Sequence, residues 1–234
     1  LATHRNNSSG DNGVAGADGK VTPPEPFHVS AKLDRMVLRE GVMIAPFALD
    51  ATGIGERPAT MSLTGTLAKT GTVTGSIAPT DSGRRVTLAT SDLGMFLKGL
   101  FGFNSIHGGK LEISATMPGK ASDPESKDPK VPDFQGKMVL KDFRVLDQPF
   151  LARLFSAGSL GGLINLMQGQ GIAVDRLEVP LSSRNGVLSV HDARATGPAI
   201  GITAEGYIDR PKNAIALKGS LVPLFGINSV LGNI

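Results

Sequence analysis

The hydrophobic and polar positions of this chain alternate mainly with a period of two residues, which is typical of strands with one apolar face. This alternation runs through two blocks, residues 27–118 and 134–234. Residues 1–26 are polar, rich in Gly, Asn and Pro, and are interpreted as a disordered linker. Residues 119–133 carry three prolines among alternating charges and are interpreted as a second linker. The pattern therefore predicts two strand-rich units, each preceded by a linker.

A helical period of 3.6 residues appears once in the first block. Ser91 and Asp92 are good N-cap residues, and an apolar stripe follows them at i, i+3, i+4, i+7 and i+8. The stripe consists of Leu93, Phe96, Leu97, Leu100 and Phe101. One amphipathic helix is therefore predicted in the first block.

The second block contains a helical tract, residues 150–167, which is interrupted by glycine pairs. Its first apolar stripe comprises Phe150, Leu151, Leu154 and Phe155, and its second comprises Leu160, Leu163, Ile164 and Met167. Further along, Asn185-Gly186 between alternating runs predicts a tight hairpin of type I′. A longer turn is expected at residues 209–213.

The two blocks share the same order of predicted elements: a strand, an amphipathic helix, a hairpin with glycine in its turn, and a second strand. Residues 108–115 (GGKLEISA) parallel residues 185–193 (NGVLSVHDA). The expected fold class is therefore mainly β with a few amphipathic helices, in an elongated antiparallel sheet built from degenerate strand–helix–hairpin units.

Alternation also assigns the two faces of the sheet in the second block. The aliphatic face comprises Leu177, Val179, Leu181, Leu188, Val190, Ile200, Ile202, Ile208, Ile215, Leu217 and Leu221. The opposite face is polar and comprises Arg176, Glu178, Ser182, Ser189, His191, Thr203, Glu205, Tyr207, Lys218 and Ser220. Asp175 does not fit this assignment, because alternation along the strand places it on the same face as Leu177. The aliphatic face is either a core covered by the helices or a surface partly open to acyl chains.

Two sequence segments of the second block resemble those of a known family. They are DFRVLDQPFLARLFSA, which leads into the helical tract, and LVPLFGINSVLG near the end. The string resembles the C-terminal region of AsmA-like proteins of the YhdP type. The likeness is strong over residues 90–234, weaker over 27–89 and absent before that. These are bridge-like lipid transport proteins of the Gram-negative envelope.

The resemblance implies a curved sheet that forms a groove for phospholipid acyl chains between the inner and outer membranes. It also implies a periplasmic location, as part of a protein anchored in the inner membrane. The glycine-broken tract, with Phe150, Leu151, Leu154, Phe155, Leu163, Ile164 and Met167, would close one end of that groove. Outer-membrane biogenesis is the process in which such a protein is expected to act.

Composition excludes several other classes of function. The formal charge is +3 with Lys and Arg scattered, so no nucleic-acid footprint is expected. There is no cysteine, and His4, His28, His107 and His191 lack the spacing of metal ligands. No enzyme, metal or cofactor is expected. No apolar stretch is long enough to span a membrane, so we expect this chain to be a fragment whose membrane anchor lies outside it.

One alternative remains open at this point. The chain could be a structural or assembly protein of the envelope that binds other proteins by strand addition at an open sheet edge. The two readings differ in whether Leu177, Ile202 and Leu217 are open to solvent or packed under helices.

Overall fold

The computed structural model describes residues 25–55, 57–119, 132–146, 152–153 and 169–223. Twelve strands and one α-helix occupy these ranges. The strands are β1 (Pro26–Leu33), β2 (Met36–Val37), β3 (Met43–Ile54), β4 (Arg57–Leu67), β5 (Gly71–Thr80), β6 (Gly83–Thr90), β7 (Ile106–Pro118), β8 (Phe134–Val145), β9 (Ile172–Arg184), β10 (Val187–Thr196), β11 (Ile200–Asp209) and β12 (Ala214–Pro223). The helix α1 (Leu93–Phe101) lies between β6 and β7, and a 3₁₀ turn (Arg39–Gly41) lies between β2 and β3.

All the strands belong to one antiparallel sheet that is curved and not closed. The order is β1-β3-β4-β5-β6-β7-β8-β9-β10-β11-β12, with β2 paired to the start of β3. The predicted fold class, a curved antiparallel sheet with few helices, is confirmed. The repeated strand–helix–hairpin unit stays a prediction, because most of the second helical tract lies outside the described residues.

The two blocks expected from the sequence meet within this sheet. β7 ends the first block and pairs with β8, which begins the second, from Ile106↔Val145 to Thr116↔Gln135. The end of the second predicted linker is also tied to the sheet, since Asp133 Oδ1 accepts a hydrogen bond from the Asn185 backbone N–H at 2.9 Å. The blocks are therefore consecutive parts of one sheet.

Helix α1 begins where its sequence predicts. Asp92 is the N-cap, and its Oδ1 accepts a hydrogen bond from the Met95 backbone N–H at 3.0 Å. The helix ends at Gly102, whose φ of 71° is the left-handed conformation that favours glycine at this position. The predicted apolar stripe is confirmed in its first turns, because Leu93 and Phe96 are buried.

The main hydrophobic cluster lies between α1 and one end of the sheet. We call this end of the sheet the helix end. The strands β4, β6 and β8 end there, and the strands β3, β5, β7 and β9 begin there. The cluster joins α1 to strands from β3 to β10, and comprises Val42, Ile44, Phe47, Leu67, Val73, Leu93, Phe96, Leu111, Leu140, Phe143, Val174 and Ala195. Burial of these side chains fixes α1 against the sheet.

The predicted Asn185-Gly186 hairpin is confirmed, with φ of 51° and 78° at its two residues. Beyond it the β10 register shifts after Val190, with respect to both β9 and β11. Asp192 lies in this bulge with φ of 44°. A bulge inserts an extra residue into one strand, so side-chain parity changes across it.

No helix among the described residues is long and apolar enough to cross a membrane. Within the same ranges, no cluster of three or more acidic or histidine side chains is arranged to hold a metal ion.

Candidate functional site

One face of the sheet is apolar from its first strand to its last. In antiparallel pairs, residues directly opposite each other place their side chains on the same face. Following these pairs across the sheet gives a row of aliphatic, methionine, alanine and glycine residues. The row is Val29, Ala51, Met61, Ile77, Val86, Ala115, Gly136, Leu181, Val190, Gly206 and Leu217. It contains no charged or hydroxyl side chain.

A second row lies beside the first, toward the helix end. It runs from β1 to β9 through Ala31, Leu49, Leu63, Gly75, Leu88, Ile113, Met138 and Val179. We call these two rows and their aliphatic neighbours on the same side the apolar face. Adjacent strands lie about 4.8 Å apart, so a row with ten strand-to-strand steps follows the sheet for roughly 48 Å.

The eleven residues predicted for the aliphatic face of the second block are brought together by the register. Leu181 pairs with Val190, Leu188 with Ile208, and Ile208 with Ile215. Ile202 pairs with Leu221, while Leu217 pairs with Gly206 of the first row. Leu177, Val179 and Ile200 join them by alternation along β9 and β11. These side chains lie on one face; that they bind acyl chains stays a prediction.

Exposure of these residues differs with their position in the sheet. Ile200 is 1% exposed and packs with Ile172 in a small second cluster, so it is a core residue in this structure. Leu177 and Ile202 are half-buried against the main cluster. Leu217 and Ile215 are 56% and 70% exposed. The face is therefore closed near the helix end and open along β12.

The residues predicted to close the groove, Phe150, Leu151, Leu154, Phe155, Leu163, Ile164 and Met167, lie outside the described residues. Within that tract, Ala152 and Arg153 are described and helical. Ala152 packs against the cluster of Ile172 and Ile200 at the helix end. Among the described elements, α1 is the one that covers part of the apolar face, as the interpretation of a helix-covered core expects.

Among the residues that the structure describes, one charged side chain lies on the side of the apolar face, at the end opposite α1. Arg84 pairs with Pro79 and Met117 in the register and is 8% exposed. Its Nη1 donates a hydrogen bond to the Pro58 carbonyl oxygen at 2.8 Å. A buried guanidinium needs such partners, because desolvation of a charge is costly. The sequence analysis made no prediction of burial for this arginine.

The opposite face, which we call the polar face, is organised by cross-strand ion pairs. Lys141 Nζ lies 2.9 Å from Glu112 Oε1, and Lys137 Nζ lies 2.6 Å from Glu178 Oε2. Arg176 also binds the Glu178 carboxylate. The hydrogen bond from Lys137, followed by that from Arg176, lowers the pKa of Glu178 below its usual range. The hydrogen bond from Lys141 lowers the pKa of Glu112 in the same way.

Sequence reasoning missed the part of the apolar face that lies in the first block. Leu63, Ile77, Val86, Leu88 and Ile113 belong to it and are half-buried. Apolar and polar positions do alternate in residues 60–67 and 72–78. However, the polar positions are often threonine, a small β-branched residue, so the two faces differ little in residue type. Gly75 in the second row, and Gly65 beside that row on β4, weakened the signal further.

Comparison with known proteins adds no identity: no family model, no curated protein and no solved structure matches this chain. An open aliphatic surface without directional polar groups attracts hydrocarbon by dispersion and by release of water. The side chains of the described apolar rows carry no nucleophile, acid or base.

Proposed function

We propose that this chain binds the acyl chains of lipids along the apolar face and acts as a segment of a lipid conduit. One observation carries the proposal: the row from Val29 to Leu217 crosses eleven strands without a charged or hydroxyl side chain. A sheet that needed only a core under α1 would not require an apolar row that continues past the helix to both edges.

The chemistry of transfer would be passive and non-enzymatic. Burial of a methylene group stabilises an acyl chain by about 0.8 kcal/mol, wherever along the row the chain lies. Since neighbouring positions are similar, a bound lipid meets no deep minimum and can slide from strand to strand. The proposed direction of movement is along the row, with lipid sources and sinks supplied by other parts of the system.

The setting of this activity follows from the family resemblance. We propose phospholipid as the cargo and the periplasm between inner and outer membranes as the location, with an inner-membrane anchor outside this chain. α1 supports a limit to the conduit at the helix end, because its Leu93 and Phe96 fill the space over Val73 and Leu111.

The runner-up is strand addition by a protein partner at a sheet edge. One observation favours it: β12 pairs with β11 in ten consecutive positions without a bulge, and most of its residues are exposed. Long regular edges without bulges are ready templates for another strand. This reading predicts partner binding that depends on the β12 backbone and not on the aliphatic side chains of the face.

A binding measurement with matched variants tests the lipid proposal. Leu217 on the apolar face is 56% exposed, and Tyr207 on the polar face is 45% exposed, so both carry similar accessible hydrophobic area. We expect Leu217→Gln to weaken binding of a fluorescent fatty acid to the purified chain by about tenfold, since a buried leucine contact contributes about 1.5 kcal/mol. Tyr207→Gln is expected to leave this affinity unchanged.

Equal effects of the two substitutions, or no fatty-acid binding by the unaltered chain, would contradict the proposal. In that case the strand-addition reading would be preferred, and a partner should be sought through β12. Both variants change exposed positions, so circular dichroism should show the same fold in each.

A further inference from the structure

Strand β12 forms one edge of the sheet, and among the described strands it pairs with β11 alone. The pairing runs from Ile200↔Pro223 to Asp209↔Ala214 without a register shift. At the other edge, β1 and β2 pair with different parts of β3, and a bend at Asp34 separates them. β12 is therefore the longer and more regular of the two edges.

The aliphatic side chains of β12 are more exposed than those of the inner strands in the same row. Ile215 and Leu217 are 70% and 56% exposed. Leu181 and Val190 share the first row with Leu217, have a paired strand on both sides, and are half-buried. A further strand at the β12 edge would bury the exposed side chains in the same way.

The backbone of β12 also presents donors and acceptors to this edge. The Ser220 backbone N–H points toward β11, because it donates to Thr203 Oγ1 at 3.3 Å. Backbone groups alternate in direction from residue to residue along an antiparallel strand. The N–H and C=O groups of Leu217 and Gly219 therefore point away from β11, where a further strand can pair with them.

A second copy of this chain can supply a strand that runs in the right direction. β1 and β12 are the first and last of eleven strands that alternate in direction, so they run the same way. A copy added head to tail, with its apolar face on the same side, would place its β1 parallel to β12. A copy related by a two-fold axis perpendicular to the sheet would instead place its own β12 antiparallel to β12. The second arrangement continues the antiparallel sheet, and antiparallel pairing is the more stable per residue.

The side chains of β12 select one register for this pairing. A two-fold axis at Leu217 places this residue opposite its equivalent, so the first apolar row continues into the second copy. Lys218 then lies opposite Ala216 of the other copy, whereas an axis at Lys218 would place two like charges directly opposite each other. Pro223, which has no N–H, falls outside the paired stretch.

We infer that this chain forms a two-fold dimer in which β12 pairs antiparallel with β12 of a second copy, centred on Leu217. The strand is complementary to itself in direction, charge and apolar positions, and isologous contacts of this kind are the commonest basis of protein dimers. The two apolar faces then join in one continuous surface. The inference does not rest on the proposed function, although the joined faces would lengthen the surface proposed for acyl chains.

Sedimentation velocity of the purified 234-residue chain, over a series of concentrations, tests this inference. We expect monomer to convert to dimer as the concentration rises. Ala216 is exposed on the polar face and would lie opposite Lys218 of the second copy. Ala216→Glu should tighten the dimer about threefold to tenfold and Ala216→Lys should weaken it by a similar factor, since each dimer contains two such cross-strand pairs.

Ser30→Glu and Ser30→Lys are the matched controls, because Ser30 is exposed on the polar face of β1 at the opposite edge. Both should leave the dimerisation constant unchanged. A chain that stays monomeric throughout the series would overturn the inference and indicate a different protein as the partner of β12. Equal effects of the two Ala216 substitutions, or effects of the Ser30 substitutions as large as theirs, would also overturn it.

Amide hydrogen exchange measures the strand pairing directly and does not depend on any variant. The amides of Leu217 and Gly219 should exchange more slowly at high protein concentration than at low, because pairing protects them. The amides of β1 should exchange at the same rate at both concentrations. Dimerisation without protection of the β12 amides would place the contact elsewhere and overturn the inference.

The outcome is separable from that of the proposed function. Ala216→Lys should retain the fatty-acid affinity of the unaltered chain, whereas Leu217→Gln should lose it. A monomeric chain that still binds fatty acid would refute the dimer alone.

Discussion

At the scale of single residues, the two faces of the sheet are stabilised by different forces. On the apolar face, side chains such as Leu63 and Met138 pack through dispersion and loss of water. On the polar face, Glu178 is held by Lys137 and Arg176. Exposed ion pairs of this kind contribute little to the free energy of unfolding. They do lower the pKa of the carboxyl groups that take part in them.

The lowered pKa of Glu178 can be tested by substitution of its partner. The hydrogen bond from Lys137 is the largest cause of the lowered pKa of Glu178, so Lys137→Met should raise this pKa toward its usual range. The remaining bond from Arg176 should keep the shift incomplete. The pKa of Glu112, which Lys141 lowers, serves as the internal control and should not change. Carboxyl chemical shifts followed by NMR titration would measure both.

The sign of the effect on stability follows from the direction of the pKa shift. A carboxyl whose pKa is lowered by folding stabilises the fold above its unfolded pKa, about 4.3 for glutamate. That contribution is lost as the pH falls through the lowered folded value. In Lys137→Met this contribution should be smaller, and its loss should be complete at a higher pH. An unchanged Glu178 pKa would contradict the assigned pairing.

At the scale of elements, α1 is fitted to the sheet through two glycines with different surroundings. A Cβ atom at Gly94 would lie 2.7 Å from the Ile106 carbonyl oxygen, which belongs to the backbone of β7. At Gly99 the nearest atoms belong to the side chains of Leu38 and Val42. Side chains can change rotamer, whereas the backbone of β7, which at Ile106 pairs with Val145 of β8, cannot easily move.

The two glycines should therefore respond differently to alanine. We expect Gly94→Ala to destabilise the protein by about 1–3 kcal/mol through overpacking. Gly99→Ala should remain within about 1 kcal/mol of the unaltered protein, because the gain in helix propensity offsets the displacement of side chains. Urea unfolding of the two variants, side by side, measures this difference. A larger loss with Gly99→Ala would show that α1 does not pack on β7 as described.

Much of the element structure is readable from the sequence because its signals are local. The N-cap at Asp92, the stripe of α1 and the Asn185-Gly186 turn each depend on a few neighbouring residues. Bulges are different, since they depend on pairing between distant strands. Asp175 did not fit the assigned parity, and in the structure Val174 and Leu177 both pack in the main cluster while Asp175 is exposed, so the alternation of β9 breaks there. The bulge at Asp192 breaks the alternation of β10 in a separate place. Burial of Arg84 likewise depends on contacts with a distant strand.

At the scale of the whole molecule, one property of the sheet dominates: its apolar rows are longer than the helix that covers them. The sequence predicted these rows only for the second block, where large aliphatic residues alternate with charges. In the first block, glycine and threonine obscure the same alternation. The two rows together give the sheet one face that is apolar from β1 to β12.

The most direct measurement on the central claim is photocrosslinking at two adjacent positions of β12 in cells labelled with radioactive phosphate. Leu217 lies on the apolar face and Ala216 on the polar face, and both are exposed. The account predicts that a photoreactive residue at position 217 captures labelled phospholipid and that one at 216 does not. Equal capture at both positions, or capture at neither, would contradict the proposal that the apolar face carries lipid.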